Sequence, residues 1–530
     1  MATQEALVRE TREADPPELA REAPAAPPSR RRWAFGLAIA LAVVLGGAMR
    51  TRGLATEPFW HDEVSQIRWT EEPFAKWASD RWDQIDPPLN ELVAYGWNAA
   101  LRALAPDLAW REWAIRLPPF VFGTATIAVL GLAGATAFGP FAGAVAAFLL
   151  AVNPFHVRFS QEARMYALLG LLAAVSLLFL ARALRADRRR DGLLFGAAAA
   201  ATVYAHYHFL LAVGLALVAT SCLRPRPRWL LRGELLAFGL TLPWIAAQAI
   251  HSAASGMGRR DWLLGVGIPN VKQLPATGIF FSVDWAGYRV GSFDTPANAV
   301  TTIAVASLAL ALLLSAIPSR DDARGVRLHL LLIGIGAPLV TWAVSQIRPV
   351  YQPRYLLFAI PALVLLAASV RPRALAAALA LAPMAASIFV GSSDRATYFQ
   401  KPAMDRAAVI YRAQAREGDR VVVSEVQGAT FAWYVEREGR GMPPAPVASH
   451  AEDFALVDGS RPYGDDEMEQ VFGGTHSLFA VETWETDALL ARRRAADRGR
   501  WTLLLDDRPA LVFHGEEIPR QHVRLWRRDP

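Results

Sequence analysis

The sequence predicts a polytopic α-helical membrane protein with about eleven transmembrane helices, followed by a small extracytoplasmic α/β domain. Three observations support this fold class. The 530 residues are 53% hydrophobic, and their mean hydropathy is positive, at +0.22. Several apolar stretches approach the roughly 20 residues that a helix needs to cross a bilayer. Acidic residues are scarce in these stretches and gather between them, because a carboxylate is costly within a bilayer.

The charge balance indicates a membrane partner rather than a nucleic acid. The formal net charge is +6, but the basic clusters lie between apolar spans, as in the cytoplasmic loops of membrane proteins. The single cysteine, Cys222, excludes an internal disulfide and any metal site built from several cysteines. The dominance of arginine over lysine, together with abundant alanine, is typical of a bacterial protein.

The chain begins with a polar tail and continues into a membrane module. Residues 1–32 are rich in Ala, Pro, Glu and Arg and have no hydrophobic period, which predicts a disordered cytoplasmic tail. Residues 33–391 form the predicted membrane module, with a long outer loop over residues 51–112. The candidate spans are 33–50, 113–136, 140–155, 165–184, 192–205, 208–223, 230–250, 297–317, 328–346, 355–370 and 374–391.

Residues 88–104 decide the predicted topology. The stretch is apolar enough to be a short span, but it contains Asn90, Glu91, Asn98 and Arg102. If it lies along the outer surface, the Arg-rich loops between later spans all fall on the side of the N-terminal arginine cluster, as the positive-inside rule requires. We therefore predict a cytoplasmic N terminus and an extracytoplasmic C terminus in a bacterial cytoplasmic membrane.

The C-terminal region, residues 392–530, is predicted to be a small soluble α/β domain. Helical and strand patterns alternate in it, and long apolar spans are missing from its sequence. The predicted helices are 401–417 and 484–498, and the predicted strands are 419–425, 477–482 and 501–505.

The dipeptide Asp62-Glu63 follows the first span, within Trp60-His61-Asp62-Glu63. A nucleophilic hydroxyl must lose its proton as it attacks, and a partly desolvated carboxylate can take that proton. The pair is therefore a candidate general base with a helper that orients it or holds a metal. A solvated acid pair at a helix end is the alternative interpretation, and the dipeptide alone favours it.

Asp86 precedes Pro87-Pro88-Leu89 and is predicted to cap the helix that starts there. Two prolines can begin a helix but cannot continue one. The cap alone would explain the residue. In the functional interpretation, the cap fixes the surface helix 88–104 and brings a third carboxylate near Asp62 and Glu63.

Glu162, Arg164 and Tyr166 lie at the predicted outer mouth of the span 165–184. An Arg–Glu salt bridge and an interfacial tyrosine would explain them structurally. In the functional interpretation, Arg164 binds the phosphate of an anionic lipid, while Glu162 and Tyr166 support it.

Arg348, Tyr351 and Arg354 lead into the span 355–370 on the predicted outer side. Arginines on that side run against the positive-inside trend, so topology does not explain them. A guanidinium at a helix entrance can clamp a phosphate or a pyrophosphate. We therefore predict that these three side chains bind an anionic ligand.

The tripeptide His206-Tyr207-His208 is a candidate metal site. Alternating positions suit two ligands of one metal only if the backbone is extended, so a satisfied pair of interfacial histidines is the favoured interpretation. His206 is therefore predicted to support the outer site. A divalent metal held by the carboxylates stays open, with no ligands assigned.

Taken in order, several short motifs resemble those of a known family. They are Trp60-His-Asp-Glu63, Asp86-Pro-Pro-Leu89, Glu112-Trp-Ala-Ile-Arg116-Leu-Pro118, Gln161-Glu-Ala-Arg-Met-Tyr166 and Pro353-Arg-Tyr-Leu356. This set resembles the bacterial membrane glycosyltransferases of the GT-C superfamily. In particular, it is similar to the family 39 enzymes, a group like the protein O-mannosyltransferases and the lipid A aminoarabinose transferases. The resemblance covers about residues 33–400.

The resemblance implies a sugar donor carried on a polyprenyl phosphate and attack by an acceptor hydroxyl or phosphate at the outer membrane face. It also implies that Asp62 is the catalytic carboxylate. The family often has His at the position that Asp86 occupies here, so a histidine-based role is not expected at that site. The acceptor is left open between a lipid, a glycan and a protein, because the family's C-terminal domain varies widely.

We therefore predict a glycosyltransferase that inverts the anomeric centre, with Asp62 as the general base and Glu63 and Asp86 as further catalytic carboxylates. The outer arginines or a divalent metal would neutralise the departing lipid phosphate. The alternative is a transporter or flippase of the same lipid-linked sugar, which would place ionisable residues near the membrane midplane. A membrane-anchored binding module would leave the outer carboxylates unexplained.

Overall fold

The structure is a computed structural model of the chain. It describes residues 30–84, 87–255, 268–283, 295–317, 324–392, 401, 403–416, 419–423, 425–438, 457–458, 461–462, 477–483, 501–507, 512–513, 516–517 and 523–528. The tail predicted over residues 1–32 lies outside these ranges except for its last three residues. The helix predicted over 484–498 and Asp86 lie wholly outside them.

Every predicted span overlaps a helix of the structure. The helices are Arg30–Thr51, Leu117–Phe138, Pro140–Val152, Tyr166–Ala186, Arg189–Ala205, Phe209–Cys222, Arg228–Ser255, Pro296–Ala316, Arg324–Ser345, Ala359–Ala368 and Arg373–Ser392. The helix Arg324–Ser345 contains a π-helical turn at Leu332–Gly336. The predicted class, a polytopic helical membrane protein, is confirmed.

Length and apolar composition place all of these helices except Arg189–Ala205 in two groups. Within the described residues, six helices are long and apolar enough to cross a bilayer: Arg32–Thr51, Leu117–Phe138, Tyr166–Ala186, Arg228–His251, Asn298–Ala316 and Arg324–Ser345. Further apolar helices are shorter, namely Pro140–Val152, Phe209–Cys222, Ala359–Ala368 and Arg373–Ile388. The number of crossings and their direction stay predictions.

Glycines allow the two helices Leu117–Phe138 and Pro140–Val152 to pack closely. Gly139 between them has a φ of 97°, which side chains with a Cβ rarely adopt. A Cβ on Gly143 would collide with the carbonyl oxygen of Gly131. The two helices therefore pack backbone to backbone, as small residues permit in membranes.

Short helices occupy the predicted outer side. They are His61–Trp69, Phe74–Gln84, Pro88–Leu104, Glu112–Ile115, Pro154–Phe159 and Gln273–Val283, with 3-10 turns at Leu108–Trp110 and Pro353–Leu356. The helix Pro88–Leu104 buries three of the polar residues that made this stretch ambiguous, Asn90, Glu91 and Asn98. Asn98 Nδ2 donates to Thr70 Oγ1 at 3.0 Å. Polar residues of this helix therefore pack against the outer loop.

After the last apolar helix, the chain forms a small α/β region. Two helices, Met404–Gln414 and Glu425–Glu438, accompany a four-stranded sheet. The order of its strands is Arg420–Val423, Leu478–Thr483, Val523–Arg528 and Trp501–Asp507. The first pair is parallel and the other two pairs are antiparallel. Two further pairs of two-residue strands join Val457–Asp458 to Arg461–Pro462 and Val512–Phe513 to Glu516–Glu517.

The sequence pattern located part of this region. The helix predicted over 401–417 is present as Met404–Gln414, and the strands predicted over 477–482 and 501–505 are present as Leu478–Thr483 and Trp501–Asp507. The strand predicted over 419–425 ends at Val423, because Glu425 begins a helix. The helix Glu425–Glu438, the strand Val523–Arg528 and the four two-residue strands were not predicted.

The described residues bury two large apolar cores. One lies among the membrane helices. The other joins the outer loop to the C-terminal region through buried side chains of both. They include Phe59, Val64, Ile67 and Leu101 from the loop and Met404, Tyr411, Phe431, Trp433, Tyr434, Phe479 and Leu525 from the C-terminal region. This second core holds the segment around Asp62 against the C-terminal region.

Candidate active site

Asp62 lies in the first turn of the helix His61–Trp69. An acid is favourable there, because the N terminus of a helix carries partial positive charge. The Oδ1 of Asp62 lies 3.0 Å from His61 Nε2, and its Oδ2 lies 3.4 Å from Arg354 Nη1. The side chain keeps 19% of its surface exposed. Asp62 is therefore surrounded by donors and still reaches solvent.

The surroundings of Asp62 favour its ionised form. Burial alone would raise the pKa of this carboxyl, but the hydrogen bond from His61 and the charges of Arg164 and Arg354 outweigh burial and hold the pKa well below its ordinary value. Asp62 is therefore a carboxylate at physiological pH, able to accept a proton but not to donate one.

Glu63 is fully buried and makes four hydrogen bonds. Its Oε1 accepts from Arg116 Nε and from the Ala163 backbone N–H, both at 2.9 Å. Its Oε2 accepts from Arg116 Nη2 at 2.9 Å and from Lys401 Nζ at 2.6 Å. Burial alone would raise the pKa of Glu63, but the charges of Arg116 and Lys401 lower it to about 2. These contacts are those of a structural anchor, and they argue against the predicted catalytic role of Glu63.

Arg116 is a site residue that sequence reasoning overlooked, although it stands in one of the quoted motifs. Its side chain is fully buried beside Glu63. Its Nη1 donates to the carbonyl oxygens of Leu54 and Glu57 at 3.3 and 2.7 Å, and its Nη2 donates to that of Pro58 at 3.0 Å. Arg116 therefore shapes the backbone that leads into Asp62.

Arg354 lies in the 3-10 turn Pro353–Leu356 and reaches Asp62 from a distant segment. Its Cζ lies 5.5 Å from the ring centroid of Trp60 and 5.6 Å from that of Tyr355. Within the described part of the chain, the buried Nε of Arg354 and the buried Nε1 of Trp60 have no hydrogen-bond partner. A buried unpaired donor is costly, so a polar or anionic ligand would be stabilised at these two N–H groups.

Arg164 lies beside the same carboxylate. Its Nη1 is 3.4 Å from the carbonyl oxygen of Asp62 and 3.5 Å from Gln66 Oε1. Its charge also lowers the pKa of Asp62. Of the predicted phosphate ligands, the structure therefore brings Arg164 and Arg354 together around Asp62.

The other two predicted phosphate ligands lie elsewhere. Tyr351 is buried, and its hydroxyl donates to Thr277 Oγ1 at 2.7 Å. Arg348 is exposed. Among the described residues, no hydrogen bond or ion pair joins Tyr351 or Arg348 to Asp62 or Arg354. Their predicted roles stay predictions, and the geometry supports them less than those of Arg164 and Arg354.

His206 belongs to a cluster of rings next to Arg354. Its ring centroid lies 6.3 Å from that of Tyr166, 5.0 Å from that of His208 and 5.1 Å from that of Tyr355. Burial, His208 and the nearby arginines lower the pKa of His206 well below its usual value. The His206 imidazole is therefore neutral at physiological pH, and the supporting roles of Tyr166 and His206 stay predictions.

Glu162 is buried next to the Glu63 anchor. Its Oε1 lies 3.5 Å from Arg158 Nε, and within the described residues its buried Oε2 has no hydrogen-bond partner. Burial raises the pKa of Glu162, although the charges of Lys401 and Arg158 counteract this effect. Glu162 is therefore easier to protonate than Asp62, which distinguishes the two carboxyl groups chemically.

A metal was left open by the sequence, and the described side chains do not form a site for one. No group of three or more His, Cys, Asp or Glu residues in the described ranges could hold a metal ion. Asp86, the third predicted carboxylate, lies outside the described residues. The positive charges that act on Asp62 include the guanidinium groups of Arg164 and Arg354.

Lys401 is a second site residue that the sequence did not reveal. Its Nζ reaches Glu63 from beyond the last apolar helix, and only 8% of its side chain is exposed. The sequence offers one signal, since the chain has only three lysines, Lys76, Lys272 and Lys401. Because arginine supplies nearly all the positive charges of this chain, each of its three lysines is a candidate for a specific contact.

Comparisons with known proteins bear on the family and the fold of the chain. The family described as dolichyl-phosphate-mannose-protein mannosyltransferase matches residues 100–247 of the chain. No protein of curated function matches the chain in sequence at a significant level.

Solved structures resemble the chain along most of its length. The structure of ArnT from Cupriavidus metallidurans bound to undecaprenyl phosphate is 15% identical with a TM-score of 0.51, over 94% of this chain and 98% of its own. The oligosaccharyltransferase of Archaeoglobus fulgidus, tethered to an acceptor peptide containing the NVT sequon, is 12% identical with a TM-score of 0.52, over 86% of this chain and 70% of its own. At these identities the likeness concerns the fold. Together with the family match it confirms the predicted resemblance: the chain is a membrane protein with the GT-C glycosyltransferase fold.

Proposed function

We propose that the chain is a glycosyltransferase that moves a sugar from a polyprenyl-phosphate donor to an acceptor at the outer face of the bacterial cytoplasmic membrane. One observation carries the proposal: a partly exposed carboxylate, Asp62, lies 3.4 Å from the guanidinium of Arg354. Sugar transfer from a lipid phosphate needs a base for the acceptor and a cation for the leaving phosphate. The fold supports the same reaction class, since one structural relative is bound to undecaprenyl phosphate.

The proposed reaction is a direct displacement. The acceptor oxygen attacks the anomeric carbon as its proton passes to Asp62, and a new glycosidic C–O bond forms. The bond between the anomeric carbon and the phosphate oxygen breaks, and the polyprenyl phosphate leaves with that electron pair. Attack opposite the leaving group inverts the anomeric centre. Asp62 later releases its proton to water.

Arg354 and Arg164 are the proposed donor-phosphate ligands. The unpaired Nε of Arg354 offers a further N–H beyond the one that faces Asp62. Charge-assisted hydrogen bonds from guanidinium groups to phosphate oxygens are strong, and they grow stronger as negative charge develops on the departing phosphate. A divalent metal, which the sequence left open, would be a further source of positive charge for this neutralisation.

The guanidinium groups of Arg164 and Arg354 also adjust the basicity of Asp62. In the free protein, Arg164 and Arg354 help to keep the pKa of Asp62 low, which makes the carboxylate a weak base. A bound phosphate shares these cations and adds a negative charge nearby. The pKa of Asp62 then rises toward the range in which proton transfer is efficient. Donor binding would thus prepare the base.

The remaining predicted carboxylates receive different roles in this proposal. Glu63 positions the segment that carries Asp62, because it accepts four hydrogen bonds from Arg116, Ala163 and Lys401, which lie on other segments. Asp86 stays a proposed third carboxylate near the site. The sugar is left open, and the acceptor is a lipid, a glycan or a protein.

The test is a transfer assay in proteoliposomes that contain one defined polyprenyl-phosphate sugar and a panel of acceptors. Mass spectrometry follows the glycosylated acceptor and the released polyprenyl phosphate. The proposal predicts that both appear in equal amounts. If the lipid-linked sugar crosses the bilayer unchanged and no glycosylated product forms, the chain is a flippase and the proposal is wrong.

A further inference from the structure

The C-terminal region reaches into the candidate active site at two points. The first is Lys401, whose Nζ lies 2.6 Å from Glu63 Oε2. Only 8% of the Lys401 side chain is exposed, and the Glu63 side chain is fully buried. Because Glu63 directly follows Asp62, this contact fixes one end of the segment 59–63.

The second point is Tyr434, in the helix Glu425–Glu438. Its hydroxyl accepts a hydrogen bond from the Phe59 backbone N–H at 2.5 Å and donates one to Glu112 Oε1 at 3.3 Å. Glu112 also accepts from Arg437 Nη1 at 2.5 Å. These contacts fix the other end of the segment 59–63.

The Tyr434 contact lies within the apolar core that the outer loop and the C-terminal region share. The ring of Trp433 packs edge-on against Phe59, with centroids 5.2 Å apart, and lies 5.3 Å from the ring of Trp110. Phe59, Trp433 and Tyr434 are all fully buried. Burying large aromatic rings removes apolar surface from water and stabilises this contact, so the C-terminal region stays docked on the outer loop.

The carboxylate of Asp62 has weaker support of its own. It contacts His61, its neighbour in the chain, and Arg354 at the long distance of 3.4 Å. The direction of the Asp62 side chain is therefore set by the backbone on either side of it, which Tyr434 and Lys401 hold.

We propose that Lys401 and Tyr434 are positioning residues of the active site, which hold the two ends of the segment 59–63 and thereby aim Asp62 at the acceptor. This inference rests on the proposed glycosyltransferase function. It makes the region after the last membrane helix a working part of the catalytic centre.

The test compares Lys401→Met, Lys401→Arg and Tyr434→Phe in the full-length protein. Arg406→Met is the matched control, because Arg406 lies in the same region and is 66% exposed. Glu63 keeps its two bonds to Arg116 in Lys401→Met, so the variant should still fold. A misplaced base lowers the chemical rate, and we expect kcat to fall roughly ten- to hundredfold while the donor KM stays unchanged. Lys401→Arg should recover part of the loss.

A second measurement reports position without activity. Hydrogen exchange of the peptide covering residues 57–64 should become faster in Lys401→Met and Tyr434→Phe and stay unchanged in Arg406→Met. If kcat and this exchange are both at wild-type values in the two variants, the inference is wrong. If the purified wild-type protein transfers no sugar from any polyprenyl-phosphate donor, the proposed function fails first. Faster exchange with unchanged kcat would also overturn the inference, since the contacts would then be purely structural.

Discussion

The guanidinium of Arg354 lies 3.4 Å from the carboxylate of Asp62, although the two residues are 292 positions apart in the chain. The first outer loop and the entrance of a late helix therefore meet at one point. In the proposed reaction, the anion serves the acceptor and the cation serves the donor phosphate. Because the two charges face each other, binding at one changes the chemistry of the other.

Replacing Arg354 should weaken the use of the donor. A charge-assisted hydrogen bond contributes roughly 1.5–3 kcal/mol, so Arg354→Ala should lower the donor kcat/KM by about ten- to a hundredfold. Arg354→Lys should recover only part of this loss, because an ammonium cannot make a two-pronged contact. Donor-concentration kinetics in nanodiscs measure both variants, with exposed Arg406→Ala as the control. Arg348→Ala in the same assay decides whether that predicted ligand contributes. Wild-type donor dependence in both Arg354 variants would mean that the phosphate binds elsewhere.

Donor binding should shift the acid limb of the pH profile. Asp62 must be ionised to accept a proton, so activity falls as the pH drops through its pKa. The pKa of Asp62 is below its ordinary value in the free protein, so kcat/KM should lose activity only at strongly acidic pH. The kcat profile reports the donor complex and should fall at a higher pH, because the phosphate then shares the arginines. The proposed donor is a phosphodiester and does not titrate in this range.

A different result would identify a different base. If kcat/KM itself falls near neutral pH, a group with a raised pKa is responsible. Burial raises the pKa of Glu162, so Glu162→Gln would be the variant to measure next. If the fall of kcat/KM near neutral pH disappears in Glu162→Gln, the general base is Glu162 and not Asp62.

The fold was largely readable from the sequence, while the site was readable only in part. A long apolar stretch predicts a membrane helix from its composition alone. Every predicted span therefore overlaps a helix of the structure. The sequence around Asp62 and Glu63 does not indicate in which direction either side chain points. Adjacent residues of a helix point about 100° apart, so one carboxylate reaches the site and the other enters the core.

Long-range partners explain the rest. Lys401 is 338 positions from Glu63, and nothing in the local pattern of either residue indicates the other. Proximity in the sequence predicts that Tyr351 and Arg354 act together. The Tyr351 hydroxyl instead donates to Thr277, on the helix Gln273–Val283. Spacing along the chain therefore located the outer segments but could not select which side chains meet.

The Glu63 anchor should stabilise the protein in a pH-dependent way. Breaking a buried ion pair costs about 3–5 kcal/mol, so Glu63→Gln should lower the melting temperature in detergent at pH 7. The pKa of Glu63 is lowered from 4.5 to about 2, so its ionised form contributes fully above pH 4.5 and less as the pH falls toward 2. The difference between wild type and variant should therefore shrink below pH 4.5.

Glu72→Gln is the matched control for this experiment. Glu72 also lies in the outer loop and pairs with Lys76 at 2.7 Å, but both side chains are exposed, at 42% and 58%. Exposed pairs contribute roughly 0–1 kcal/mol. If the melting temperature falls equally in Glu72→Gln and Glu63→Gln, the buried network around Arg116 stabilises the protein no more than an exposed ion pair does.

The predicted topology places the site on the outer face. A reporter that is active only outside the cytoplasm should therefore be active when fused after Pro530 and silent when inserted in the loop 185–191. The physical reason is the arginine content of the loops between the membrane helices. The reverse pattern would put Asp62 in the cytoplasm and exclude an outer-face reaction.

The most direct test of the central claim is single-turnover sugar transfer by purified wild-type protein and Asp62→Asn. An amide keeps the shape of the side chain but cannot take a proton, so the rate should fall at least ~10²-fold. Donor binding should persist, because Arg164 and Arg354 remain, and Glu72→Gln should react at the wild-type rate. If Asp62→Asn transfers sugar at a near-normal rate, Asp62 is not the base and the proposed mechanism is wrong.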